Sequence, residues 1–146
     1  MKKICKTKKV FNSTDFSSAD GMLTAVWGPS LWHTLHTISF NYPVNPTNDE
    51  MNNYYNFILS LKNILPCKFC RQNLKKNIKA INFSKKDMKN RDLFSRSIYN
   101  LHEEINCGLG KKSGLSFENI RDRYEIFRAR CLESDTEKDK NNKSKK

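Results

Sequence analysis

Leu65-Pro66-Cys67-Lys68-Phe69-Cys70 stands at the centre of the chain and runs into the basic, helix-forming stretch Arg71 to Lys79. Two cysteines two residues apart, with a proline before the first, can close a small disulfide at the head of a helix. The first helical turn carries unpaired N–H groups and a partial positive charge, which lower a thiol's pKa and favour the thiolate. The same pair is also half of a zinc site, which needs two more ligands from elsewhere. Taken alone, the stretch leaves redox and zinc chemistry both open.

The segments on either side decide the fold. Upstream, Thr47 or Asn48 caps a helix with Asp49 and Glu50 in its first turn, and Tyr54, Phe57, Ile58, Leu61 and Leu65 form its buried stripe before Pro66 ends it. Before that, Pro29 suits a first helical turn. Trp27, Leu31, Trp32, Leu35, Ile38 and Ser39 then recur at helical spacing as far as Tyr42-Pro43, with His33 and His36 on the same helix. Downstream, the CxxC helix runs from about Cys67 to Ile78, and Ile81 and Phe83 anchor a connecting loop. A fourth helix runs from about Asp87 or Arg91 to Leu109, with Leu93, Phe94, Ile98, Leu101, Ile105 and Leu109 inward and Gly108 and Gly110 as stop signals. Ser116 caps a fifth through Glu118, with Phe117, Ile120, Tyr124 and Phe127 on one side and Cys131 at its far end.

No stretch alternates with period two, and there is no Gly-rich phosphate loop and no internal repeat. The pattern predicts an all-α four-helix bundle with a short fifth helix. A thioredoxin-like fold would place strands around the CxxC. Without that scaffold the cysteine pair needs a cofactor to set its redox behaviour.

The 146 residues fit one domain, and 37% hydrophobic content permits a packed core. Residues 1–20 read as a flexible basic arm, 21–131 as the folded domain and 132–146 as a disordered charged tail. The formal net charge is +12, with five lysines and no acid in residues 1–10 and +1 in the tail, which leaves +6 for the domain. No Arg–aromatic RNA-binding pattern and no pair of zinc-finger half-sites accompanies that charge, which argues against a nucleic-acid partner. The charged first ten residues are followed by no apolar run of a secretory signal, and nothing approaches the ~20 apolar residues of a membrane span. A soluble protein made in the cytosol is expected. Five cysteines, an odd number with one close pair, do not describe a disulfide-stapled secreted scaffold.

Trp27-Gly28-Pro29-Ser30-Leu31-Trp32-His33-Thr34-Leu35-His36 resembles the WGxxxWxxLH signature of the Erv/ALR flavin-linked sulfhydryl oxidases. Leu101-His102-Glu103-Glu104-Ile105-Asn106 resembles that family's HNxVN motif, and the CxxC lies between the two as the family requires. The resemblance covers about residues 23–128. Lacking the C-terminal structural cysteine pair of cellular members, the chain looks most like the compact viral ones.

The resemblance implies a bundle holding FAD non-covalently at its mouth. It also implies a Cys67–Cys70 disulfide that takes electrons from protein dithiols and passes them through FAD to dioxygen, giving hydrogen peroxide. Cys67 would be the attacked, outward sulfur and Cys70 the one facing the flavin. Gly28, Trp32, His36, Phe40, Tyr42, His102, Asn106 and Tyr124 would border the cofactor, with Lys111 or Lys112 at its pyrophosphate. A homodimer burying faces of the first two long helices follows from the same likeness, as does a place in the cytoplasm of an infected cell or in the virion. The chain departs from the family pattern at three points. Glu103 replaces the first asparagine of HNxVN, Phe117 stands about where a structural cysteine would, and neither tail carries a second cysteine pair. The reading from another class is a non-enzymatic zinc protein using Cys67, Cys70, His36 and His102, with the basic arm on nucleic acid.

The remaining cysteines follow from lengths. Fifteen residues of straight helix from Ser116 to Cys131 would span roughly 22 Å. That is far beyond the ~7 Å between Cα atoms that a disulfide tolerates. Cys107, partly packed, is therefore expected to be a free thiol, and Cys5 and Cys131 are left as candidate relays to Cys67.

Overall fold

A computed structural model describes residues 10–19 and 21–129. The described residues are helical throughout, with no strand: α1 (Ser13–Phe16), α2 (Thr24–Phe40), α3 (Asn48–Ile64), α4 (Lys68–Ala80), a 3₁₀ turn (Lys85–Met88), α5 (Arg91–Gly108) and α6 (Phe117–Ile126). The single turn α1 lies within the stretch read as an arm. The Asn12 side chain caps it by accepting the N–H groups of Thr14 and Asp15.

Most helix boundaries follow from capping chemistry. The Thr47 hydroxyl accepts the Glu50 N–H at 3.2 Å, and the Glu50 carboxylate accepts the Thr47 N–H at 2.8 Å. The Thr47 N–H and the Thr47 hydroxyl, both donating to it, hold the Glu50 carboxyl below the usual carboxylate range. Asn90 caps α5 by accepting the Leu93 N–H at 2.9 Å. At α6 the box is closed between Ser116 and Asn119, three residues on, rather than through Glu118. Nor does α2 begin at Pro29. It starts at Thr24, so Gly28 and Pro29 lie inside it. Pro29 is the sixth residue of the helix, past the turn whose N–H groups are unpaired in any case, so it leaves the Ala25 carbonyl without its usual i→i−4 donor. Helix α6 stops at Ile126, well short of the length expected to Cys131, and Cys131 lies outside the described residues.

Helix α5 lies between α2 and α4, α4 packs on α3, and α6 crosses α2 and α5. The core runs through Ile58, Met88, Phe94 and Ile98, all fully buried. Burial of each such side chain stabilises the fold by about 1.5–3 kcal/mol. Tyr42 belongs to this core rather than to a surface site. It is fully buried, with the Tyr54 and Phe94 rings at 4.7 and 5.0 Å in edge-on packing and its hydroxyl donating to the Met88 carbonyl at 2.8 Å. A second, smaller cluster of Phe40, Phe117 and Ile120 fastens α6. There the Arg96 guanidinium lies over the Phe117 ring at 3.9 Å.

Three residues expected inside are exposed. Leu109 and Phe127 are each 59% exposed because both lie one residue past the end of their helices, where the buried face has already turned away. Phe57, 37% exposed, has a different cause. The backbones of α2 and α3 do not pack on each other, and an open depression of about 310 Å³ lies between Ile38 and the row Asn53, Tyr54, Phe57.

Candidate active site

Cys67 is the N-cap of α4, in extended conformation, and its sulfur accepts the Cys70 N–H at 3.2 Å. Its Cα lies 5.2 Å from that of Cys70, within the disulfide range, and the two are joined. The loop before it is held on several sides. The Cys67 N–H donates to the Leu65 carbonyl at 2.8 Å, which also takes a bond from the Arg71 guanidinium. The Met22 N–H donates to the Pro66 carbonyl at 2.7 Å. Gly21 makes that approach possible: its φ is +81°, and a Cβ there would lie 2.7 Å from the Pro66 oxygen and 3.2 Å from the Cys67 Cα. Trp27 completes the strap by donating its indole N–H to the Met22 carbonyl at 3.1 Å. On the α2 side the Thr24 hydroxyl lies 3.3 Å from the Cys70 sulfur.

Farther along α2, Trp32, His36 and Phe40 recur every four residues and so form one stripe. Helix α5 sets His102 against it and α6 sets Tyr124. The Trp32 indole stacks on the His102 ring at 3.9 Å and 7°. His36 Nε2 and His102 Nδ1 are hydrogen-bonded at 3.0 Å. Tyr124 stacks on Phe40 at 5.4 Å and 9°, and its hydroxyl bonds His33 Nδ1 at 3.1 Å. Burial lowers the pKa of His36 to about 4, helped by the neighbouring His102 and His33. Burial lowers that of His102 too, opposed by the Glu103 carboxylate, and it raises that of Tyr124. His36 and His102 are therefore neutral imidazoles at pH 7.

His36 Nδ1 is buried and has no hydrogen-bond partner. Whichever ring donates in the His36–His102 bond, this nitrogen is left as an orphan donor or acceptor, a cost that a bound group could remove.

Of the residues expected at a cofactor, the structure gathers Trp32, His36, Phe40, His102 and Tyr124. Gly28 is buried within α2. Asn106 lies one turn beyond His102 on α5, its amide donating to the Glu103 carboxylate at 3.1 Å. Lys111 and Lys112 are exposed on the loop after α5, where the Lys111 N–H donates to the Asn106 carbonyl at 2.8 Å. Tyr42 stays in the core. The residues of the zinc alternative do not assemble: Cys67 pairs with Cys70, His36 with His102, and among the described residues no group of three or more such side chains is placed to hold a metal.

Sequence reasoning missed Gly21, Thr24 and His33. His33 had a legible signal, since it sits three residues before His36 on the same helix. The other two act across the fold, Gly21 on the loop at Pro66 and Thr24 on Cys70 in the first turn of α4, more than forty residues away, and no local pattern announces them. Cys107 is an exposed free thiol rather than a partly packed one.

The Erv1/Alr family model matches residues 29–125, which include both cysteines and all five residues of the aromatic and histidine cluster. A probable FAD-linked sulfhydryl oxidase of Acanthamoeba polyphaga mimivirus is 29% identical over 86 residues, covering 59% of this chain and 60% of that protein. A protein of Invertebrate iridescent virus 6, with a name of the same kind, is 31% identical over 90 residues, covering 59% of this chain and 81% of the relative. The chain thus spans about three-fifths of the mimivirus relative's length. The FAD-binding domain of Erv1 from Saccharomyces cerevisiae shares the fold, with a TM-score of 0.65 at 22% identity, over 74% of this chain and 99% of that domain. With the family match extending over most of the bundle, the chain belongs to the Erv1/Alr family.

Proposed function

We propose that this chain is an FAD-linked sulfhydryl oxidase that makes disulfides in protein substrates, with Cys67 and Cys70 as the redox pair. One arrangement carries the reading: α2 brings a residue against the Cys70 sulfur at its start and, about two turns on, carries the Trp32–His36–Phe40 stripe that meets His102 and Tyr124.

The residues suit FAD. The orphan His36 Nδ1 supplies a buried polar atom in need of a partner, and the flat Trp32, His102, Phe40 and Tyr124 rings suit a planar aromatic group. Trp32, His36, Phe40, His102, Asn106 and Tyr124 would hold the cofactor, with Gly28 beside them and the exposed Lys111 and Lys112 available to its phosphates. When bound, FAD supplies a two-electron acceptor for the CxxC dithiol that dioxygen reoxidises, with hydrogen peroxide as product.

The chain's own residues do the thiol chemistry. A substrate thiolate attacks the Cys67 sulfur and the Cys67–Cys70 bond breaks, its electron pair leaving on Cys70. A second substrate thiolate then attacks the mixed disulfide and releases Cys67, so one substrate disulfide forms and the CxxC gains two electrons. A relay through Cys5 or Cys131 concerns residues outside those described.

The open flank between α2 and α3, with Phe57 on it, supports a homodimer formed through these two helices. The likeness to virus-encoded relatives supports a place in the cytoplasm of an infected cell or in the virion. No helix among the described residues is long and apolar enough to cross a membrane. The test is the purified full-length chain. It should be yellow, release flavin on denaturation and form peroxide while oxidising a dithiol; a colourless protein without dithiol oxidase activity would overturn the reading.

A further inference from the structure

The two sulfurs of the CxxC sit in unequal surroundings. Cys67, as N-cap, takes the Cys70 N–H at 3.2 Å and lies at the positive end of α4, so the helix itself favours negative charge on Cys67. Yet the proposed cycle needs the released electron pair on Cys70. What the structure places at the Cys70 sulfur is the Thr24 hydroxyl, 3.3 Å away and from a different helix. A disulfide sulfur bears no proton, so in this contact Thr24 is the donor and Cys70 the acceptor.

The neighbours of Thr24 suit that role. The strap before it is pinned by the Met22 N–H bond to the Pro66 carbonyl. One turn on, Gly28 lies under the Thr24 methyl, 3.3 Å from where a Cβ would be, so a side chain at 28 would press on the threonine.

We propose that Thr24 is a positioning residue for the redox pair: its hydroxyl hydrogen-bonds the Cys70 sulfur and, when the disulfide opens, stabilises the thiolate left there against the pull of the α4 N-terminus toward Cys67. This inference rests on the redox reading of the CxxC. The step it assists is balanced. The attacking thiolate forms a bond to Cys67, the S–S bond breaks, and its electron pair becomes the Cys70 thiolate with no proton transferred from Thr24.

The test uses the full-length FAD-loaded chain with Thr24→Val, which keeps the shape and removes the donor, and Thr24→Ser, which keeps the donor. After reduction, site-resolved alkylation against pH reads the pKa of each cysteine, and equilibration with glutathione reads the CxxC potential. Thr24→Val should raise the Cys70 pKa by about half to one unit, a three- to tenfold loss of thiolate below that pKa, and leave Cys67 little changed. The potential should become more negative by as much as ~30 mV, the equivalent of a tenfold change for two electrons. Thr24→Ser should restore both values. An unchanged Cys70 pKa in Thr24→Val, a shift confined to Cys67, or a shift that Thr24→Ser shares would each overturn the proposal. Should wild type itself lack flavin and oxidase activity, the proposed function fails; should wild type be active with Cys70 indifferent to Thr24, only this inference fails.

Discussion

His36 on α2 and His102 on α5 are joined ring to ring, Nε2 to Nδ1 at 3.0 Å, and the bond holds together the two helices that frame the candidate cofactor site. Both imidazoles are kept neutral mainly by burial, His36 with a pKa near 4. The folded state therefore binds fewer protons than the unfolded chain, whose histidines titrate near ~6.5. Stability from this source is complete above that value and is lost as pH falls from about 6.5 towards 4. For His36 the loss is on the order of 3 kcal/mol. Urea unfolding of the FAD-free protein at pH steps between 7 and 4 should show it, and His36→Gln should flatten the slope between pH 6.5 and 5, above most carboxylate titration. Equal slopes in both proteins would mean that His36 is not held neutral.

The cysteines divide the labour. Cys70→Ser should still bind FAD, because the candidate cofactor residues lie on α2, α5 and α6, but should lose dithiol turnover. Its Cys67 is then a thiol with no disulfide for a substrate thiolate to attack, so it should form no mixed disulfide with a reduced dithiol. Cys67→Ser should lose turnover as well, but its Cys70 thiolate, left on the flavin side, should give the FAD-loaded protein a long-wavelength charge-transfer band. Absorption spectra of the two FAD-loaded variants decide it, and a band in Cys70→Ser that Cys67→Ser lacks would reverse the assignment of the outer sulfur.

His102→Ala removes both the stacking partner of Trp32 and the hydrogen-bond partner of His36, whereas Asn106→Ala removes only an amide now held by Glu103. Each should weaken FAD retention, since loss of a buried polar partner costs about 1–3 kcal/mol, with His102→Ala the more severe. Because FAD binds the folded state alone, the melting temperature of the loaded protein should fall with the affinity. Wild-type flavin content and melting temperature in both variants would remove this face from the cofactor site.

Gly21 tests the strap over the redox loop. An alanine there would adopt a left-handed φ and drive its Cβ to 2.7 Å from the Pro66 carbonyl oxygen, a contact that cannot persist. Gly21→Ala should destabilise the fold by roughly 1–3 kcal/mol, through backbone strain and the weakened Met22–Pro66 bond. Oxidation of even a small dithiol should slow as well, since the displaced backbone carries Cys67. Unchanged melting and rate would show that the strap is dispensable.

These residues show where the sequence is legible. The resemblance of the Trp27–His36 stretch to a family motif marks Trp32, His36 and Phe40, and helical periodicity marks the CxxC helix, because both signals are local in the chain. Pro29 misleads, since a proline near a helix start reads as its first residue although the helix already extends back to Thr24. Tyr42 misleads differently. It lies two residues past the end of α2, where no periodicity constrains it, and turns into the core to bond Met88. The contacts of Gly21 with Pro66 and of Thr24 with Cys70 join positions forty-odd residues apart, so only the folded chain reveals them.

The last prediction concerns Phe57. Its ring is 37% exposed beside Tyr54 on a flank where α2 and α3 leave an apolar depression open. An aromatic residue so placed gains when a second copy covers it, by about 0.5–1 kcal/mol, since only about a third of a full burial remains to be made. Phe57→Glu would put a charge into that interface while disturbing little of the monomer, whose core is carried by Ile58 and Leu61 on the same helix. In sedimentation at micromolar concentration the wild-type chain should run as a dimer and Phe57→Glu as a monomer of unchanged helical content. A wild-type monomer, or a dimer indifferent to the substitution, would show that the two copies do not meet through this flank.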